Sequence, residues 1–221
     1  VAFGKEMEVK SNGRKNIAMG SVLSIWHDFR QAGIDDPANA KLPPMADLQA
    51  AAKHVDINNV IIDQAAGTIY LADPAMSLDV GSIAKGFSVE RVAQTMIASG
   101  VTNAIMSIGG NVRAIGTRGD GTNWRVGIQN PNLEASDQAL TMVNLKNLSL
   151  VTSGSYQRYY TVDGKQYHHI IDPSTLMPAQ YVRAVSVVTE SSALGDALSM
   201  VLFNQPIESG KAFLKNYPNT E

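Results

Sequence analysis

The sequence predicts a mixed α/β chain (α+β in detail), and three observations carry that prediction. Apolar residues recur at helical spacing in the segments 17–29 and 87–99. Short runs rich in Val, Ile and Leu, bounded by Gly, Asn and Asp, recur between them and read as strands. No repeat and no linker rich in Pro, Gly or Ser divides the 221 residues into independent pieces. A chain of 23.7 kDa buries roughly 70% of its unfolded surface. The expected architecture is therefore a single domain of two closely packed lobes around mixed sheets, with a ligand cleft between the lobes.

In chain order, Met19, Val22, Leu23, Trp26 and Phe29 fall on one helical face. Residues 33–45, with Gly33, Pro37, Pro43 and Pro44, read as loop, and Asp47 is the expected N-cap of a short helix to Val55. Val60–Asp63 and Thr68–Leu71 flank Ala65-Ala66-Gly67 and predict a hairpin. Asp79 is expected to end a strand, Ser82 to cap the next helix, and Gly100 to close that helix after Ser99. Strands are expected at 103–108, 112–115, 124–128, 140–145, 148–152, 166–171 and 182–188. Ser191 or Ser192 opens a last helix through Asp196 and Met200.

Composition excludes several classes of function. The formal charge is −2 and the pI about 6.1, which argues against a nucleic-acid or polybasic membrane surface. The chain has no cysteine, so disulfides, thiolate nucleophiles, zinc–thiolate sites and iron–sulfur clusters are excluded together. No apolar run is long enough to span a bilayer.

Five segments could carry chemistry. In Asp79-Val80-Gly81-Ser82-Ile83-Ala84-Lys85-Gly86, a lysine falls near a helix N-terminus, where the macrodipole disfavours a cation unless an anion shares the site. The spacing is not that of a P-loop; the bland alternative is a solvated lysine on a glycine-flanked turn. Gly109-Gly110-Asn111 and Thr152-Ser153-Gly154-Ser155 each place small or hydroxyl residues at a strand end, fitting either a close backbone approach to a ligand or a plain turn. In Tyr167-His168-His169-Ile170-Ile171-Asp172-Pro173, strand alternation sends the two histidines to opposite faces, and a neutral imidazole can take a proton from a hydroxyl. Asp196 lies in an apolar helical run, where a carboxylate needs a cation, strong donors or the helix dipole.

Taken in order, Ser77–Phe87, Ser107-Ile108-Gly109-Gly110-Asn111, Val151–Tyr156, His169-Ile170-Ile171-Asp172-Pro173 and Asp196-Ala197-Leu198 resemble the FAD:protein FMN transferases, the ApbE-like family. With Ile17-Ala18-Met19-Gly20 and Ile25-Trp26 the likeness covers nearly the whole chain and is nearest the version found in Gram-positive bacteria. The resemblance implies Mg²⁺-dependent transfer of FMN from FAD to a threonine hydroxyl of an acceptor redox protein, releasing AMP, outside the cytoplasm and commonly from a lipid anchor. It implies no nucleic-acid partner, and contact with a membrane only through an anchor absent from these residues. By resemblance His169 is the base and Asp172 organises its loop. Ala18, Met19, Asp79, Lys85, Gly109, Gly110, Ser153 and Ile170 contact FAD, and the Ser82 carbonyl and the Asp196 carboxylate hold the metal.

Two departures qualify this. Met200 stands one helical turn after Asp196 where the family usually has Thr, and a thioether is a poor ligand for Mg²⁺. The family's upstream region and last strands are expected to be missing from these 221 residues. The competing expectations are an FAD-binding module with weakened transfer and an FAD pyrophosphatase.

Overall fold

The computed structural model describes residues 1–221 and divides them into two compact units. The first comprises Val1–Val80 and Ser155–Gln180; the second comprises Gly81–Gly154 and Tyr181–Glu221. The mixed α+β class is borne out. The sheets are antiparallel throughout rather than mixed: every ladder between strands runs antiparallel, and the lone parallel pairing is an isolated bridge from Met19 to Ser77.

The first unit contains α1 (Ala2–Lys10), α2 (Gly20–Asp35), α3 (Met45–Ala51) and two hairpins, β1 (Val60–Asp63) with β2 (Thr68–Leu71), and β8 (Tyr159–Val162) with β9 (Lys165–His168). Helix α2 starts later and runs further than its apolar spacing suggests. Gly33 is not loop but a helical residue against the Tyr160 ring, where an added Cβ would lie 2.5 Å from a ring carbon. Trp26, one stripe of the same helix, donates its indole N–H to the Leu176 carbonyl at 2.8 Å. Met19, Val22, Trp26, Leu48, Tyr160, Val162 and Ile171 form the core of this unit. Asp47 lies inside the first turn of α3 and does not cap it; Pro44 holds the cap position. The expected strand at Asp79 is absent, because its N–H turns to the Ile17 carbonyl at 2.8 Å.

The second unit contains α4 (Gly81–Ala98), α5 (Ser192–Phe203), α6 (Ile207–Leu214) and a four-stranded sheet in the order β10-β7-β4-β3. Its strands are β3 (Ala104–Ile108), β4 (Asn111–Ile115), β7 (Ser149–Gly154) and β10 (Ala184–Thr189). A separate ribbon pairs β5 (Trp124–Gln129) with β6 (Ala139–Leu145). Helix α5 lies on β7 and β10; Gly195 permits the approach, since a Cβ there would sit 2.8 Å from the Val151 side chain. Ser191 caps α5, accepting the Leu194 N–H. Ser82 does not cap α4, which already includes Gly81.

Candidate active-site residues

In the second unit the first turns of α4 and α5 meet. Asp196, 2% exposed, accepts the Gly86 N–H on Oδ2 at 2.8 Å. One turn further along α4 and one turn back along α5, Glu90 Oε2 accepts the Ser192 N–H at 2.8 Å. These two rungs fix the helices against each other, and both use a carboxylate to satisfy a buried N–H. Arg113 on β4 lies beside the second rung, its Nε 3.3 Å from Glu90 Oε2 and its Nη1 donating to the Ala114 carbonyl. The Arg113 charge compensates a Glu90 carboxylate that is otherwise buried. At Gly86 an added Cβ would lie 2.4 Å from both Asp196 Cβ and the Ser192 carbonyl oxygen. Gly86→Ala is therefore expected to destabilise the chain by about 1–3 kcal/mol, read as a lower urea midpoint, because backbone and not a flexible side chain must give way.

Lys85 extends from the same turn, with Nζ 3.7 Å from Asp196 Oδ1 and 3.4 Å from the Gly81 carbonyl oxygen. Its stem lies against Gly109, whose absent Cβ leaves the room. Gly109 and Gly110 form the two-residue turn between β3 and β4, at φ +53° and +89°, where a side chain would be strained at both. Ser153 on β7 bonds the Ser199 hydroxyl at 2.8 Å and lies 3.6 Å from the Met200 sulfur. The structure thus brings Lys85, Gly109, Gly110, Ser153 and Asp196, five of the expected residues, into one unit with Ser82. The donor set fits Mg²⁺ in one form. A lone buried carboxylate suits an ion that arrives with phosphate oxygens and keeps water ligands, whereas the chain holds no cluster of three or more acidic or histidine ligands for a resident ion.

In the first unit β9 ends at His168, so the two histidines do not alternate on a strand as expected. His168 is buried; its Nε2–H donates to the Ala179 carbonyl and its Nδ1 accepts the Ile170 N–H, a fully engaged neutral ring. Burial lowers its pKa. His169 leaves the strand because its N–H turns to the Arg158 carbonyl at 3.1 Å. Its Nδ1 lies 3.2 Å from that same oxygen, and since a carbonyl only accepts, Nδ1 carries the proton and Nε2 keeps a lone pair. Burial foremost pushes its pKa down to about 4; the bond to the Arg158 carbonyl opposes this, and the nearby Arg158 and Arg30 charges add to the lowering.

Asp172 accepts the Ser174 N–H at 2.8 Å and its hydroxyl at 2.6 Å, which closes the loop after the histidine. Ala18, Met19 and Ile170 are buried. Asp79 lies in this unit, apart in sequence assignment from Lys85 and Ser82 in the other. Sequence reading missed Arg30, Glu90, Arg113, Arg158, Ser192 and Ser199, whose roles arise from partners distant in the chain.

The chain is 34% identical over 222 residues to the FAD:protein FMN transferase of Treponema pallidum, a match covering 96% of this chain and 60% of that protein. It is 33% identical over 202 residues to an FAD:protein FMN transferase of Klebsiella pneumoniae, covering 90% and 59%. It thus spans about three-fifths of the length of these curated relatives. The crystal structure of the ApbE protein of Thermotoga maritima is similar with a TM-score of 0.84 and 28% identity, over 99% of this chain and 68% of that one. The apo flavinyl transferase ApbE of Pseudomonas stutzeri is similar with a TM-score of 0.79 and 29% identity, over 98% and 65%. The narrower likeness to the version of Gram-positive bacteria gains no support from these relatives. With the ApbE family matching residues 1–221, this chain belongs to that family.

Proposed function

We propose that these residues belong to an FAD:protein FMN transferase, which moves FMN from FAD to a threonine hydroxyl of an acceptor redox protein and releases AMP. The observation that carries this reading is the meeting of α4 and α5, which holds the Asp196 carboxylate beside Lys85 and the glycine turn at Gly109. Lys85 and the glycine turn offer the diphosphate a cation and an unobstructed backbone approach. The Asp196 carboxylate and the Ser82 carbonyl would hold Mg²⁺, which when bound neutralises charge on the diphosphate. His169 takes the threonine proton at Nε2 while the threonine oxygen bonds to the FMN phosphorus and the bond from phosphorus to the AMP oxygen breaks. Asp172 keeps the loop carrying His169 in place through Ser174. We infer an extracytoplasmic, lipid-anchored setting for this activity.

The test is incubation with FAD, Mg²⁺ and an acceptor domain carrying the receiving threonine. The expected result is a fluorescent band and one added FMN by mass, lost in His169→Ala. Absence of an adduct with FAD still bound would favour the binding-module reading, and FMN plus AMP without acceptor would favour the pyrophosphatase. Met200→Thr, which puts a hard oxygen one turn after Asp196, is expected to tighten Mg²⁺ binding by about tenfold in calorimetry with FAD present. Unchanged affinity would show that position 200 does not face the ion.

A further inference from the structure

Under α4 and the first turn of α5, the second unit buries polar atoms for which the protein itself supplies no hydrogen-bond partner. Arg113 of β4 pairs across the ladder with Ser149 of β7, so both side chains stand on one face of the sheet. Asn111 lies two residues before Arg113 on β4 and stands on that face too. Both helices cover it. Ser192 of α5 donates its hydroxyl to Asn111 Oδ1 at 3.4 Å, and Glu90 of α4 lies 3.3 Å from Arg113 Nε. Asn111 is 1% exposed, Arg113 7% and Ser149 0%. Asn111 Nδ2, Arg113 Nε and Ser149 Oγ nonetheless make no hydrogen bond within the protein. The Arg113 Nε–H passes the Glu90 carboxylate at ion-pair distance without aiming at it. Residues directly opposed on a sheet face stand about 4.5–5.5 Å apart at Cβ and diagonal ones about 7–8 Å, so these three side chains reach one common point.

We propose that Asn111, Arg113 and Ser149 bind a buried water molecule. The chemistry of the three atoms selects the ligand. Two of them only donate, and the hydroxyl both donates and accepts. A cation would find one lone-pair donor, the hydroxyl, against two N–H groups. An anion would lie beside Glu90, whose charge already balances Arg113. Water accepts from Asn111 and Arg113, donates to Ser149, and is small enough for a site sealed from solvent. It lies by the Glu90–Ser192 rung, one helical turn before Asp196 along α5, and helps to seat the start of that helix on the sheet.

The experiment is a high-resolution crystal structure of the 221-residue chain, repeated on crystals grown in bromide. The expected result is one solvent peak about 2.7–3.2 Å from at least two of the three atoms, with no anomalous signal from bromide. Oxygen-17 relaxation dispersion gives the readout in solution. Ser149→Val, which sets methyl groups in place of the hydroxyl, is expected to lose one long-lived water relative to the parent chain. Should that variant fail to fold, Ser149→Ala replaces it and is expected to lower the urea midpoint by about 0.5 M. A hydroxyl that had no partner at all would make the same change neutral or stabilising. No solvent peak, a bromide peak at this position, an unchanged water count, or a Ser149→Ala midpoint at or above the parent's overturns the site. None of these readouts depends on flavinylation, so the transferase reading stands or falls separately.

Discussion

Asp196→Ala is expected to abolish FAD-dependent flavinylation and to cost the fold about 2–4 kcal/mol at once. The two effects share a cause. Asp196 is 2% exposed, and its Oδ2 is the acceptor for the Gly86 N–H in a contact too close for any side chain at position 86. Deleting the carboxylate removes a buried acceptor from the α4–α5 contact and takes the carboxylate partner from Lys85. Asp196→Asn separates the roles. An amide oxygen still accepts from Gly86, so most of the stability should return, within about 1 kcal/mol of the parent chain. The charge does not return. Outer partners of metal ligands typically change affinity 10–100-fold, so removing the ligand charge should weaken Mg²⁺ binding by more than about 100-fold. Urea unfolding and calorimetric Mg²⁺ titration measure the two quantities. Tight Mg²⁺ binding in a stable Asp196→Asn chain would remove this residue from the metal site.

Elements governed by local chemistry were legible from the sequence. The β1–β2 hairpin is where the apolar runs around Ala65-Ala66-Gly67 put it, and the Gly109-Gly110 turn joins β3 to β4. Helix α4 ends before Gly100, at φ +88°, and Ser191 caps α5 as its hydroxyl suggested. The β8–β9 hairpin carried a signal that was passed over: Asp163-Gly164, both at positive φ, is a strong two-residue hairpin turn. Helix α1 had little to announce it, since its apolar residues are interspersed with Lys5, Glu6 and Glu8 and only Gly4 and Met7 are buried.

The site divides along the same line. Asp196, Lys85 and the glycine turn stood out because a carboxylate in an apolar run and a cation at a helix start are locally costly. Glu90 and Arg113 did not, since the α4–α5 rung and the β4 charge that justify them exist only once the helices have packed. The end of β9 was unreadable for the same reason: the His169 N–H is captured by the Arg158 carbonyl, and no residue near His169 in sequence says so.

His169 should make the chain acid-labile in a defined window. Its folded pKa is about 4 against an ordinary 6.5, chiefly because burial penalises the imidazolium. Above pH 6.5 the ring is neutral in both folded and unfolded chains and contributes nothing to pH dependence. Between pH 6.5 and about 4 the unfolded chain takes up a proton that the folded chain refuses, so stability falls as pH drops, by up to about 3 kcal/mol from this residue. His169→Asn keeps an N–H where Nδ1 donates to Arg158 but cannot titrate. It should lose flavinylation, yet gain stability over the parent chain progressively from pH 6.5 to 4. His168, also depressed, remains in both chains and cancels in the comparison. Urea midpoints at pH 7, 5.5 and 4.5 measure the difference; parallel profiles would mean that the ring is solvated and ordinary. The same pKa makes His169 a base that is fully deprotonated at neutral pH but weak. In the proposed transfer an anionic phosphoryl group beside it would raise it. The acid limb of kcat/KM, which reports the free chain, should then lie near pH 4, while the limb of kcat, which reports the bound state, lies higher. Identical limbs would show that no anion approaches His169 during turnover.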